Sequence, residues 1–321
     1  MAYRGSVFCK CVINPFKSRF SIFPFFGVMA AIPAYDPRMR PRRETVAIRG
    51  EHVVAVEAIG AMAEVNGATL AYDDTGGDGP VVVLCHGFLM DRTMFADQVA
   101  VLRDAYRVIT WDERGFGDTV YDQQPFTFWD SAQDCLGLID QLGVERAVFG
   151  GMSQGGFIAL RIALLAPDKV RGLILLDTQA GPEDAEVIPL YQGMIDAWVA
   201  DGPTDELAEA SASLIIGEPR LSATWMAKWR ARPAESLRNP GQTLLEREDI
   251  TDRLGEISAP ALVVHGTADV SISMDKAGTL AAGLAGCEGV VPVEGGTHAA
   301  NMTHPGPVND AILAFLAGLP A

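Results

Sequence analysis

From residue 62 onward, short apolar runs alternate with longer stretches of helical period. Residues 63–65 and 69–74 flank Asn66-Gly67, a pair that favours positive φ, and predict a β-hairpin. A glycine-rich loop over 75–80 leads into residues 81–85, VVVLC, an unbroken apolar run. Such a run is expected of a strand covered on both faces in a mostly parallel sheet. Helix is predicted over 94–102 and strand over 107–111. Residues 128–142 predict a helix with Phe128, Ala132, Cys135, Ile139 and Leu142 at helical spacing and Gly143 as its stop. Residues 146–150 and 170–176 again read as buried strands. A helix over 156–166 lies between them and ends before Pro167. Strand is predicted over 261–264, helix over 273–284, strand over 289–293, and a last helix over 307–316. This alternation predicts an α/β fold: an open, doubly wound, mostly parallel sheet, with ligands beyond the carboxyl ends of its strands.

The alternation stops in two places. Residues 179–252 are rich in Ala, Glu, Leu, Met and Trp and contain no full-length strand run, so they predict a helical insertion. Met194, Trp198, Trp225, Met226 and Trp229 give that insertion an apolar face. Packing onto the body accounts for most of such a face. Met194, Trp198 and Trp225, with Met152, are the candidates for lining a substrate pocket. The core is therefore assigned to 62–178 and 253–321. Residues 1–61 are basic, aromatic and broken by proline, and show no sustained period. Their 14-residue apolar run over 21–34 is too short for a membrane span, and no clean A-x-A site follows it. They read as an upstream extension or tail, as a signal or targeting segment, or as a structured arm, with Met62 as the natural start of the domain.

One stretch carries the chemistry. Gly151-Met152-Ser153-Gln154-Gly155 lies between a predicted strand and a predicted helix, the setting in which G-x-S-x-G forms a nucleophile elbow. The serine occupies a strained turn whose neighbouring backbones pass close together, and small side chains on either side permit that. A bystander serine on a glycine-rich turn would give the same five letters, so partners decide. A base and an orienting carboxylate are needed. His298 follows the final strand in Gly295-Gly296-Thr297-His298, and Asp269 follows the preceding strand in His265-Gly266-Thr267-Ala268-Asp269. Asp177, at the end of the strand after the elbow helix, is the alternative acid.

Charge and cysteine content narrow the partners. Residues 1–61 hold nine Lys and Arg against four Asp and Glu, which leaves 16 against 37 in the rest of a chain of net charge −16. An acidic body argues against nucleic acid and anionic membrane surfaces, and no stable membrane insertion is expected. Five scattered cysteines lack disulfide or metal spacing and read as buried thiols in a reducing compartment. A cytoplasmic location follows, or secretion if residues 1–34 act as a signal. The histidines lack H-x-x-x-H spacing, and no G-x-G-x-x-G follows the first core strand. Neither a metal nor a cofactor is expected.

H-G-F at 86–88, D-E-R-G-F-G at 112–117, G-M-S-Q-G-G at 151–156, H-G-T-A-D at 265–269 and G-G-T-H at 295–298 together resemble the α/β-hydrolases that carry a helical cap. The resemblance covers about four-fifths of the chain and is nearest the esterase and enol-lactone hydrolase branches. It implies a Ser153–Asp269–His298 triad in the chain order of that fold, with the N–H groups of Phe88 and Gln154 as oxyanion hole. It also makes 179–252 a cap and His86, Asp112 and Arg114 loop organisers; His265 is expected to pack and His304 to cap the last helix region. Thr119 departs from the serine many relatives carry in that loop. The expected activity is hydrolysis of carboxylic esters or lactones of small to medium hydrophobic substrates through an acyl-enzyme. Peptidase, carbon–carbon hydrolase, acyltransfer and perhydrolase chemistries of the same fold remain alternatives. So does a slow-turnover ligand sensor built on an intact site.

Overall fold

The computed structural model describes residues 60–320, together with the strand backbone at Thr45–Arg49 (β1) and His52–Val56 (β2). β1 and β2 pair antiparallel as a separate two-stranded sheet, with Thr45 opposite Val56 and Arg49 opposite His52. This hairpin lies in a segment whose sequence shows no sustained period; β-branched residues on both sides of Gly50-Glu51 are the signal it offered. The rest of the expected tail or targeting segment falls outside the described residues.

Asn66 and Gly67 both take positive φ, 47° and 78°, and join Gly60–Val65 (β3) to Ala68–Asp74 (β4) as the hairpin predicted. Then follow Val81–Cys85 (β5), Ala96–Leu102 (α1), Arg107–Trp111 (β6), Phe128–Gln141 (α2), Ala147–Met152 (β7), Gln154–Leu165 (α3) and Val170–Leu176 (β8). The insertion contributes Ile188–Asp201 (α4), Asp205–Ile215 (α5), Pro219–Arg230 (α6) and Arg238–Leu245 (α7). The chain returns to the sheet with Ala261–Gly266 (β9), Met274–Gly283 (α8), Cys287–Val293 (β10), Ala300–Thr303 (α9) and Pro305–Gly318 (α10). Among the described residues no helix is long and apolar enough to cross a membrane.

Strands β3 to β10 form one sheet of order β10-β9-β8-β7-β5-β6-β4-β3. From β6 to β10 every pairing is parallel, and the β4–β6 and β3–β4 pairings are antiparallel. The central strands are buried along nearly their whole length, so helices must cover both faces. Helix α2 packs on α3, and α1 on α10. The fold is thus the doubly wound, mostly parallel α/β architecture that the alternation predicts, with a helical insertion between β8 and β9. Helix α2 starts at a reciprocal cap in which Thr127 accepts from Asp130 N–H and the Asp130 carboxylate accepts from Thr127 N–H. Loss of such a cap costs about 1 kcal/mol.

The loop after β6 is built from buried charge. Asp112 accepts from the Arg92 backbone and guanidinium and from Asp118 N–H. Arg114 grips Asp134 of α2 through Nε and Nη2 and also donates to the Asn66 carbonyl, 2.9 Å away. Thr119 donates its hydroxyl to the Asp112 carbonyl at 2.6 Å and accepts from Ala71 N–H, so it supplies the hydroxyl that a serine would. Between these pairs lies Glu113, only 2% exposed. The Ser131 hydroxyl lies 2.6 Å from its Oε1, and the Gln154 side chain donates to its Oε2. Burial, with the nearby Asp134 charge, pushes its carboxyl up to about 8 against the weaker pull of Ser131 and Arg114. The protonated acid can give its own O–H to Ser131, whose hydroxyl then turns to the Thr127 carbonyl at 3.3 Å.

This makes a pH prediction. In the unfolded chain Glu113 ionises near the ordinary value of 4.5, while in the folded protein it stays protonated to about 8. Across that window the folded state holds a proton that the unfolded state has released, so the group's contribution to stability falls as pH rises. Glu113→Gln keeps the shape and removes the titration. Its melting temperature relative to wild type is expected to be several degrees higher at pH 8 than at pH 5. An equal difference at both pH values would show that Glu113 does not titrate in that window.

Candidate active site

Strand β7 runs two residues further than its apolar run predicts, to Met152, and α3 begins at once with Gln154. Ser153 is the whole connection. Its φ of 53° and ψ of −117° lie in a region that costs a non-glycine residue about 1–3 kcal/mol. The reason for glycine at 151, 155 and 156 is steric. A Cβ on Gly155 would fall inside the carbonyl of Cys85, at the end of β5; one on Gly151 would strike the backbone of Gly155, and one on Gly156 the side chain of Thr178. The elbow is tied down by Ser153 N–H to the Leu176 carbonyl (2.9 Å) and by the Thr178 hydroxyl to the Ser153 carbonyl (2.7 Å).

Three strand ends bring the sequence candidates together. Ser153 Oγ is 3.0 Å from His298 Nε2, and His298 Nδ1 is 2.8 Å from Asp269 Oδ2. Asp269 Oδ1 accepts from the backbone N–H groups of Ser271 and Ile272 at 2.8 and 3.0 Å. Burial alone would raise the Asp269 carboxyl. The hydrogen bond and charge of His298, with the Ile272 N–H and His265, outweigh burial and hold it below the ordinary carboxylate value. An ionised Asp269 can only accept, so the shared proton sits on His298 Nδ1, and Nε2 is left to accept from Ser153. That arrangement can take a proton from Oγ and stabilise the imidazolium that results.

Asp177 stands next to this chain but outside it. Its Oδ1 accepts from Gly266 N–H at 2.8 Å and its Oδ2 from Ala300 N–H at 3.3 Å, so it braces β9 and the His298 loop against β8. Burial, with the charge of Asp269, pushes its carboxyl well above the ordinary value. Asp177, His265 and Asp269 bring ligand-type atoms within 4.8 Å of one another. Each of the four carboxylate oxygens already accepts a hydrogen bond, and His265 Nε2 contacts the Ile272 carbonyl at 2.8 Å. His265 Nδ1 is buried without a hydrogen-bond partner and stands 4.0 Å from Asp177 Oδ1.

His86 receives Glu113 N–H on Nε2 at 3.0 Å, which puts its own proton on Nδ1, 2.8 Å from the Gly87 carbonyl. Burial lowers its affinity for a second proton, and it organises the loop after β5. His304 sits at the N-cap of α10, but its ring bonds to the Thr303 hydroxyl and not to the helix backbone. Gln154 is the first residue of α3, so its backbone N–H has no intrahelical acceptor. Its side chain is anchored on Glu113. Phe88 stands edge-on to Phe116, and the next residue, Leu89, has φ of 62°.

Ser153 and His298 open onto a cavity whose wall is mainly apolar. Phe88, Met152 and Met194 line it. Trp198 and Trp225, the other sequence candidates, do not. They line a second recess, where Trp198 meets Trp229 edge-on at 5.8 Å and Lys228 Nζ lies 4.2 Å from the Trp225 ring centroid. There they pack the insertion onto the core, because Trp229 donates its indole N–H to the Leu89 carbonyl at 2.6 Å and Lys228 pairs with Asp91 at 2.8 Å. Sequence reasoning missed Glu183 and Tyr191, which do line the cavity. Glu183 lies in a loop without periodicity, and Tyr191 carried no signal that separates a cavity wall from a packed helix face.

Residues 80–305 match the family model for the alpha/beta hydrolase fold. A thermophilic esterase from Thermogutta terrifontis superposes with a TM-score of 0.74 at 29% identity, over 80% of this chain and 98% of that one. The enol-lactonase from Burkholderia xenovorans superposes with a TM-score of 0.73 at 27% identity, over 80% of this chain and all of that one. A Synechocystis protein provisionally assigned as a non-heme chloroperoxidase is 28% identical over 268 residues, covering 78% of this chain and 96% of its own. With a matching family model over most of its length and the sheet order already described, this chain belongs to the α/β-hydrolase family.

Proposed function

We propose that this chain hydrolyses carboxylic esters or lactones of small to medium hydrophobic substrates through an acyl-enzyme, without a cofactor. Ser153 Oγ attacks the carbonyl carbon while its proton passes to His298 Nε2. The carbonyl electron pair moves onto oxygen, where the N–H groups of Phe88 and Gln154 receive it. The carbon–oxygen bond then breaks, and His298 gives its proton to the departing oxygen, which in a lactone stays on the acyl chain. Water attacks the acyl carbon, loses its proton to His298, and collapse of the second tetrahedral species returns a proton to Ser153. Asp269 holds the imidazole in the required tautomer throughout. Each oxyanion donor is worth about 10²–10³ in rate.

The observation that carries this reading is the pair of hydrogen bonds, 3.0 and 2.8 Å, from Ser153 through His298 to Asp269 at the floor of an apolar cavity. An esterase and an enol-lactonase among the structural relatives support the ester or lactone class.

The test is release of product from short- and medium-chain p-nitrophenyl esters and a small lactone panel. Ser153→Ala is expected to lower kcat by about 10⁶ with its melting curve unchanged. Retained turnover would sink the assignment. Asp269→Asn is expected to lose less, about 10⁴, because the serine and the oxyanion donors survive. Asp177→Asn places an amide N–H₂ against backbone donors, so it is expected to lower the melting temperature more than it lowers kcat. Should its kcat fall below that of Asp269→Asn, the orienting acid is Asp177.

A further inference from the structure

The cavity above Ser153 has an asymmetric charge pattern. No lysine or arginine lines it among the described residues; its ionisable wall groups are Glu183, Tyr191 and His298. Among the described residues Glu183 supplies the only carboxylate on that wall. Its side chain is 9% exposed, and Oε1 accepts from Arg247 Nη2 at 3.0 Å. Arg247, its ion-pair partner, does not line the cavity, and its side chain is only 1% exposed. It donates Nε to the Gly181 carbonyl at 3.1 Å and Nη1 to the Leu244 carbonyl at 2.8 Å, and its guanidinium lies 4.4 Å from the Phe157 ring centroid. The guanidinium is thus committed to the protein, and of the pair it is Glu183 that lines the cavity. His298 is engaged on both ring nitrogens, by Ser153 and by Asp269. The remaining wall is apolar, with the hydroxyls of Ser211 and Ser271 and the phenol of Tyr191 as neutral polar groups.

A carboxylate entering this space would lose its hydration, meet no cation, and approach a second carboxylate at low dielectric. The body of the chain adds to the effect. Outside residues 1–61 it carries 37 acidic against 16 basic side chains, a field that lowers the local concentration of anions. We infer that the cavity selects uncharged acyl groups and rejects acyl groups that end in a carboxylate, and that Glu183, backed by Arg247, is the residue that sets this preference. The inference rests on the proposed hydrolase reading of Ser153 and names the substrate class within it.

The test compares p-nitrophenyl hexanoate, the p-nitrophenyl monoester of adipic acid and its neutral methyl ester, with Ser153→Ala as the control. Wild-type kcat/KM is expected to be about 100-fold lower for the free acid than for either neutral ester, a difference of the size that like charges a few ångströms apart produce at a partly buried site. Glu183→Gln is expected to narrow that ratio to about 10-fold or less. The ratio is the readout because any general loss of activity cancels from it. Glu183→Gln leaves Arg247 without its carboxylate partner and can misfold. The double variant Glu183→Gln, Arg247→Met removes both charges and is expected to narrow the ratio as well. Equal wild-type rates for the acid and the neutral esters would overturn the inference, as would a ratio unchanged in both variants; in either case release that still depends on Ser153 leaves the hydrolase reading standing. Absence of any Ser153-dependent release would instead bring down that reading and the inference with it.

Discussion

The structure depends on one crowded piece of backbone. At the elbow, α3 starts so close to the ends of β5 and β7 that Gly155 lies against the carbonyl of Cys85 and Gly151 against Gly155. No side chain fits there. The crowding forces Ser153 into its positive-φ conformation, and that conformation lifts the hydroxyl clear of both the strand and the helix. The same Cys85 carbonyl ends β5 and begins the loop that carries Phe88. The serine and both proposed oxyanion donors are therefore tied to a single contact between the first turn of α3 and the end of β5. Their mutual geometry does not rely on any flexible side chain.

Around that contact the loops at the carboxyl edge are held by polar bonds to backbone. Trp229 donates to Leu89, and Arg232 to the carbonyls of Gly115 and Gly117. Thr243 donates to Phe126, and Arg247 to Gly181 and Leu244. Most of these donors come from the helical insertion and most of the acceptors from core loops. Buried ion pairs such as Arg114–Asp134 and Arg92–Asp112 add little net stability, since desolvation offsets their attraction, yet breaking one leaves a stranded charge. Their effect is on position. The insertion is thereby coupled to the loop that bears Phe88, and a shift of α6 must move the Leu89 carbonyl or break its bond.

Much of this was legible in the sequence, for identifiable reasons. β5, β6 and β8 match their predicted bounds residue for residue, because strands buried on both faces are apolar over most of their length and each run ends at a polar residue, His86, Asp112 or Asp177. The elbow was read two residues short in β7 and two late in α3, because Gly151 and Met152 at its end carry no strand signal and Gln154-Gly155 is a poor helix opening on propensity alone. The spacing of Ser153, Asp269 and His298 along the chain pointed to three strand ends, and their side chains lie within hydrogen-bonding distance. The cavity wall was half legible. Met152 and Met194 face the cavity; Trp198 and Trp225 do not. Apolar aromatic residues on a helix reveal that a face is buried, but not whether it is buried against protein or against an empty space. Glu113 and Glu183 gave no signal at all. Sequence patterns treat glutamate as a surface residue, and the loops that bury these two are assembled from segments distant in the chain.

The two aspartates near His298 show how environment separates like groups. Asp177 and Asp269 both follow parallel strands and both are almost fully buried. Asp269 meets a ring nitrogen that can carry charge and two backbone N–H groups, and these hold its carboxyl down. Asp177 meets only backbone donors, and the charge on Asp269 acts against it, so burial prevails and its carboxyl goes up. Once Asp269 is ionised, the ionisation of Asp177 becomes harder still. A carboxylate pair whose environments push the two groups apart in this way divides the work. The carboxyl that is held down suits the imidazole partner in the proposed reaction, and the carboxyl that is pushed up suits a brace bound by backbone N–H groups. The proposed roles of Asp269 and Asp177 follow from that division, and it could not have been drawn from either residue alone.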